Sequence, residues 1–234
     1  MTETFSFSST ISSAWKLMRR HWRFVIPAAV ATAAVMMFFQ WLQGITEGRG
    51  LSSFFASLIA LIFSVAIVVG WSNVSLKLVR GTSGAWNDLK TAPRIWAHYF
   101  VAKFLAGIAT MAAIILIVTP LFAVIYGQGI SWYFLILGIV SIMAGLVLFV
   151  WIAIQIFFIP LVAIDHPDAS GWKLIKRSRH MAQGRMLDLF GFMVILFLVN
   201  ILGLLLAVVG LLITVPLSMI AKAYVYDYLK EKSA

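Results

Sequence analysis

Asp165, His166 and Asp168, from the run AspHisProAsp, with His180 and Asp188 downstream, are the residues whose types and spacing could do chemistry. Carboxylate oxygens and imidazole nitrogens are ligands for a divalent ion. A local reading accounts for the same residues: Asp165 ends an apolar run, Pro167 breaks a helix, and Asp168 or Ser170 caps the next one. The local reading is preferred, so no metal ligand, catalytic residue or cofactor-binding residue is assigned and no cofactor is expected. His21 and His98, like His166 and His180, lie beside apolar runs where polar residues collect anyway, so their clustering does not single out a site. The sequence holds no HExxH, GxSxG or Walker loop, which removes motif support for metalloprotease, serine-hydrolase and nucleotide-driven chemistry. With no cysteine, disulfides and thiolate chemistry are excluded.

A second set of informative residues lies inside apolar runs: Gln40, Asn73, Gln155, Asn200 and Lys222. Polar groups are costly in hydrocarbon and turn toward other helices or a cavity, so Asn73, Gln155, Asn200 and Lys222 mark either packing or a pathway. Asn200, in the middle of PheLeuValAsnIleLeuGly, is expected to make an interhelical hydrogen bond worth about 0.6 to 2 kcal/mol. Proton-coupled transport relies on a carboxylate deep in the membrane, and none of the eight carboxylates lies there.

The elements that must position these residues follow from composition. Hydrophobic residues are 62% and charged residues 11% of 234, too few charges to cover a water-soluble surface. The expectation is an all-α polytopic membrane bundle, a single domain over 1–234 with six transmembrane helices at about 24–42, 51–78, 100–126, 132–162, 187–208 and 211–228. Pro120 is expected to kink the third, with the Thr119 hydroxyl partly compensating, and GlyGlnGly at 127–129 to turn the chain. This division places 17 of the 18 Lys and Arg on one side and Arg49 alone on the other, so both termini are expected in the cytosol of a bacterial inner membrane. Trp15, Trp22, Trp86, Trp96, Trp172, Tyr99, Tyr224, Tyr226 and Tyr228 would form the inner aromatic belt, and Trp41, Tyr126, Trp132 and Tyr133 the outer one.

Two stretches on the cytosolic side read as amphipathic interfacial helices. Over 8–23, capped by Ser8 or Ser9, Ile11, Trp15, Met18 and Trp22 form one apolar stripe, and Lys16, Arg19, Arg20 and Arg23 point away from it. Over 169–185, a collar helix, Leu174, Ile175, Met181 and Ala182 share an arc opposite Lys173, Lys176, Arg177 and His180, with Trp172 and Arg179 between. The eight Lys and Arg of these helices other than Arg185 are assigned to anionic lipid headgroups. TrpLysLeuMetArgArg at 15–20 and TrpLysLeuIleLysArg at 172–177, with TrpAsnAspLeuLys at 86–90 as a degenerate copy, suggest a unit of amphipathic helix plus two-span hairpin used three times; clustering of Trp, Lys and Arg at every cytosolic boundary is the alternative.

AlaTrpLysLeuMetArgArgHisTrpArgPhe (14–24), LysLeuValArgGly (77–81), ProLeuValAlaIleAsp (160–165), the collar helix, and Pro216 with AlaTyrValTyr (223–226) together resemble a group of uncharacterised bacterial six-span proteins related to the membrane domain ahead of the catalytic barrel in some glycerophosphodiester phosphodiesterases. The chain ends at Ala234 without such a barrel, so the resemblance carries over neither the activity nor any catalytic residue.

The first reading of function is a non-enzymatic multi-pass inner-membrane protein that contacts lipid or serves as an accessory or assembly component. A small-solute transporter or channel is the alternative, suggested by Pro120 and Pro216 within spans. A lipid-modifying enzyme at the cytosolic face is the third. Expected partners are membrane lipids, anionic ones preferred, and a protein partner or second copy of the chain. Nucleic acid is not expected, because the basic residues sit in short segments beside apolar runs rather than on one face.

Overall fold

The computed structural model describes residues 7–48, 50–82, 85–126 and 132–233. Helices α1 (Phe7–Arg20), α2 (Trp22–Thr46) and α3 (Leu51–Val79) are followed by a single 3-10 turn, Trp86–Leu89. Then come α4 (Pro93–Tyr126), α5 (Trp132–Ile156), α6 (Ile159–Asp165), α7 (Gly171–Ala182), α8 (Met186–Leu205) and α9 (Ala207–Ser233). No strand occurs among the described residues, and six helical stretches are long and apolar enough to cross a membrane. The protein is an all-α polytopic membrane bundle.

Boundaries depart from the sequence reading in several places. α4 runs unbroken from Pro93, so residues 95–99, expected below the span, are its first turns. The fourth apolar run is two helices, α5 and α6. The last division falls at Leu206 rather than at Val209 and Gly210. The degenerate copy at 86–90 forms a 3-10 turn and no amphipathic α-helix. The turn expected at 127–129 and Arg49 lie outside the described residues.

Spans pair in chain order, α2 with α3, α4 with α5, α8 with α9, while α9 also packs against α1 and α3. Small residues bring two of these pairs close. A Cβ on Gly145 would lie 2.6 Å from Ile117 Cγ1, and one on Gly210 would lie 2.1 Å from the Gly203 carbonyl oxygen, so the α4–α5 and α8–α9 backbones approach as only glycine allows. In α4, Pro120 has no N–H to donate to the carbonyl of Leu116. Thr119 does not supply the missing bond, since its hydroxyl donates to Ile115 O at 2.7 Å; the orphaned Leu116 O accepts instead from Ser141 Oγ of α5, at 2.7 Å. The proline thus becomes an interhelical tie.

The break between α5 and α6 has a similar cause. Pro160 cannot donate back to Ile156, and the chain makes a turn at 157–158. Ser178, fully buried on α7, stitches it: its hydroxyl donates to Gln155 O at 2.5 Å and accepts from the Phe158 N–H at 3.3 Å.

Buried apolar residues concentrate at the end of the bundle that carries α1, α6 and α7. They include Val25 and Ala28 of α2, Val69 to Leu78 of α3, Phe158 to Ala163, and Ile220 to Tyr226 of α9. At the opposite end Met37, Phe38, Phe55, Ile115, Phe122 and Leu137 are exposed, a surface suited to hydrocarbon. The core is therefore off-centre, gathered under the basic end.

Candidate functional site

At the basic end the chain places two arrays, one of exposed cations and one of locked ion pairs. α7 follows the sequence reading in outline: Leu174 and Ala182 are buried, Ile175 and Met181 half-buried, and Lys173, Lys176, Arg177 and Arg179 exposed. Its apolar arc, however, is occupied by α4, α5 and α6 rather than free to enter lipid. Ser178, in the same arc, was invisible to a hydrophobicity pattern because its function is to bond the α5–α6 break. Ser170 holds the N-cap position without a side-chain bond, and the helix spans 171–182, shorter than expected.

α1 corrects its stripe. The buried residues are Thr10, Ala14 and Met18, with Phe7, Ile11 and Leu17 half-buried, whereas Trp15 and Trp22 are 45% and 55% exposed. Packing on α9 selects small side chains for close approach and turns the indoles outward, where they suit a membrane interface. Ser8 and Ser9 lie inside the first turn rather than at the cap. His21 separates α1 from α2, and its Nδ1 lies 3.1 Å from Leu17 O. Lys16, Arg19, Arg20 and Arg23 are all exposed.

The locked array centres on Arg80, just past α3. Its guanidinium donates to both Asp165 oxygens, at 2.8 and 2.9 Å, and to Asp227, at 2.7 to 3.3 Å. Asp165, only 7% exposed, also accepts from Lys230 Nζ at 2.6 Å and from Tyr226 OH at 3.0 Å. Hydrogen bonds to Asp165 and then Asp227 raise the Arg80 pKa above its ordinary value, so it stays charged. Two cations and a phenol thus share one carboxylate, three of the four donors on Oδ2. Asp165 therefore belongs to a clamp joining α3, α6 and α9. Among the described residues, no three His, Asp or Glu side chains group for a metal ion.

Other contacts at this end are positional. The 3-10 turn docks on α3, where the Asn73 amide donates to Asp88 O at 2.8 Å and Lys77 pairs with the Asp88 carboxylate. A Cβ on Gly70 would sit 2.4 Å from Leu89 O, so the dock requires glycine there. Burial pushes the Asp88 carboxyl up, but the Lys77 and Ala85 hydrogen bonds outweigh it and hold it below its usual value. His98 Nδ1 lies 3.1 Å from Pro167 O, and Arg94 pairs with Asp168 at 2.9 Å. Partial burial, then the Arg177 charge, lower the His166 pKa.

Several cations sit on aromatic faces: Lys176 over Trp172, Arg179 over Trp151, Arg185 and Lys232 over Tyr228, and Lys222 over Phe157, 4.2 Å from the ring centre. Asn200 Nδ2 donates to Ser218 Oγ of α9 at 2.9 Å and to Leu196 O at 2.7 Å, while its Oδ1 is buried without a partner. Gln155 Nε2 is likewise buried and unbonded. Asn73 and Asn200 are thus engaged in separate places, the 3-10 dock and the α8–α9 interface, while Lys222 lies over Phe157 at the α5–α6 break, beside Gln155, whose backbone carbonyl, rather than its side chain, Ser178 binds. Tyr99 and Tyr226, expected in the aromatic belt, are 7% and 1% exposed and belong to the core.

The clamp was missed in the sequence because Arg80, Asp165 and the group at Tyr226, Asp227 and Lys230 are 61 and more residues apart, each at an apolar boundary where a charge is unremarkable. No family model, curated protein or solved structure matches the chain.

Proposed function

We propose that the chain is a non-enzymatic, lipid-contacting protein of the bacterial cytoplasmic membrane, with its basic end toward the cytosol and its exposed cations on anionic headgroups. One observation carries this reading. Lys77, Arg80, Arg94 and Lys230 take up Asp88, Asp165, Asp168 and Asp227, while Lys16, Arg19, Arg20, Arg23, Lys173, Lys176, Arg177 and Arg179 are exposed and have no ion-pair partner among the described residues. Each such charge near an anionic surface contributes about 1 kcal/mol at low screening. The sum is smaller, because part of the bias serves orientation and salt screens the rest. The hydrogen bonds of Asn73 to the 3-10 turn and of Asn200 to α9, made in separate places, favour packing over a solute pathway.

We also propose kinship with the membrane domain of the phosphodiesterases named above. LysLeuValArgGly, ProLeuValAlaIleAsp and AlaTyrValTyr bring Arg80, Asp165 and Tyr226 to the clamp, so three of the stretches behind the resemblance share one structural task.

Spin-labelled phosphatidylglycerol and phosphatidylcholine, each reconstituted with the protein, test the lipid reading. The motionally restricted fraction should be larger for phosphatidylglycerol at low salt, shrink as salt rises, and fall toward the phosphatidylcholine level when Lys173, Lys176 and Arg177 are changed to Gln. Equal fractions at low salt would leave these charges as topology determinants alone.

A further inference from the structure

At the end away from the cations, α2 and α3 line a crevice of about 310 Å³, within the range of small-ligand sites at its lower limit. Its deep end is lined by Met36 and Ile67, its wall by Phe39 and Phe63, whose ring centres are 4.7 Å apart, and its mouth by Gln40, Gln43 and Ser57. From Ser57 to Ile67 the helix rises about 15 Å, roughly half of a hydrocarbon core. The crevice therefore runs from the far membrane surface toward mid-bilayer, polar at the top and apolar below.

Among the described residues Gln40, Gln43 and Ser57 make no side-chain hydrogen bond, whereas Ser64, deeper in, donates to Leu61 O at 2.8 Å. None of the lining residues is charged. Two amides and a hydroxyl offer donors and acceptors in one place, above a slot that only a chain or ring of hydrocarbon can fill. Among the described lining residues no cation would neutralise an anionic headgroup.

We propose that the crevice binds one uncharged, hydrogen-bonding amphiphile from the leaflet remote from the basic end, an acylglycerol being the simplest chemical case. The Gln40 and Gln43 amides hold its hydroxyl or ester oxygens, and its chain lies along Phe39, Phe63 and Ile67.

The test uses the full chain in phosphatidylcholine nanodiscs and two photoprobes with a diazirine at the chain terminus: a monoacylglycerol, and the corresponding fatty acid at a pH where it is ionised. Adducts mapped by peptide mass spectrometry should concentrate between Met36 and Gln43 and between Ser57 and Ile67 for the acylglycerol, and unlabelled mono-oleoylglycerol should compete them away. The fatty acid should show no such concentration. Gln40→Leu with Gln43→Leu should weaken capture about tenfold, the effect of losing two modest hydrogen bonds. Adducts spread evenly over all lipid-facing helices, or equal capture of the fatty acid by the native chain, would overturn the proposal without recourse to the variant.

Discussion

Replacing Arg80 with Leu removes the guanidinium that joins α3 to both α6 and α9. Asp165 is left 7% exposed with Lys230 and Tyr226 as its remaining partners, and Asp227, 20% exposed, loses its guanidinium. Stranding a fully buried carboxylate costs about 3–5 kcal/mol. Two features reduce that figure here: Arg80 is itself 37% exposed, so solvent screens the pair, and Lys230 still neutralises Asp165. The expected loss is about 2–3 kcal/mol. Arg94 and Asp168 supply an internal control, being 67% and 79% exposed, so Asp168→Asn should cost less than about 0.5 kcal/mol. Equilibrium unfolding by SDS titration in mixed micelles, followed by tryptophan fluorescence, measures both. Combining Arg80→Leu with Asp165→Asn removes the stranded charge as well, so the double variant should recover about 1–2 kcal/mol of the summed losses. If Arg80→Leu costs no more than Asp168→Asn, or if the two clamp losses simply add, the clamp does not hold these helices together.

Two further outcomes follow from interhelical contacts. Ser141→Ala should destabilise the protein by about 1 kcal/mol, because Leu116 O loses the donor that replaces the missing N–H of residue 120, and the loss should shrink in a Pro120→Ala background, where the helix supplies its own bond; an equal loss in both backgrounds would contradict this. Gly210→Ala should be far more harmful than Gly107→Ala when compared by thermal stability in detergent, since its Cβ meets backbone at 2.1 Å while that of Gly107 meets nothing within 4 Å.

Sequence alone determined that this is a six-span all-α membrane protein with its cations gathered on one side. Both follow from terms additive along the chain: apolar residues over lengths set by the hydrocarbon core, and the distribution of Lys and Arg between loops. The exposed faces of α1 and α7 were legible for the same reason, since 3.6-residue periodicity places Lys16 and Arg19, or Lys173 and Arg177, away from the packed arc.

Tertiary structure decided which partner each element found. Periodicity separates apolar from polar but not small from large, so it could not tell that Ala14 would face α9 while Trp15 turned outward. A proline announces an orphaned carbonyl without naming its donor; the neighbouring Thr119 was the local guess, and Ser141 on the next helix is the donor. Arg80, Asp165 and Asp227 lie up to 147 residues apart, and each at its own boundary is an ordinary polar residue. Only the convergence of α3, α6 and α9 at one end of the bundle makes them a clamp, because an ion pair depends on distance in space and on the water excluded around it, neither of which is written along the chain.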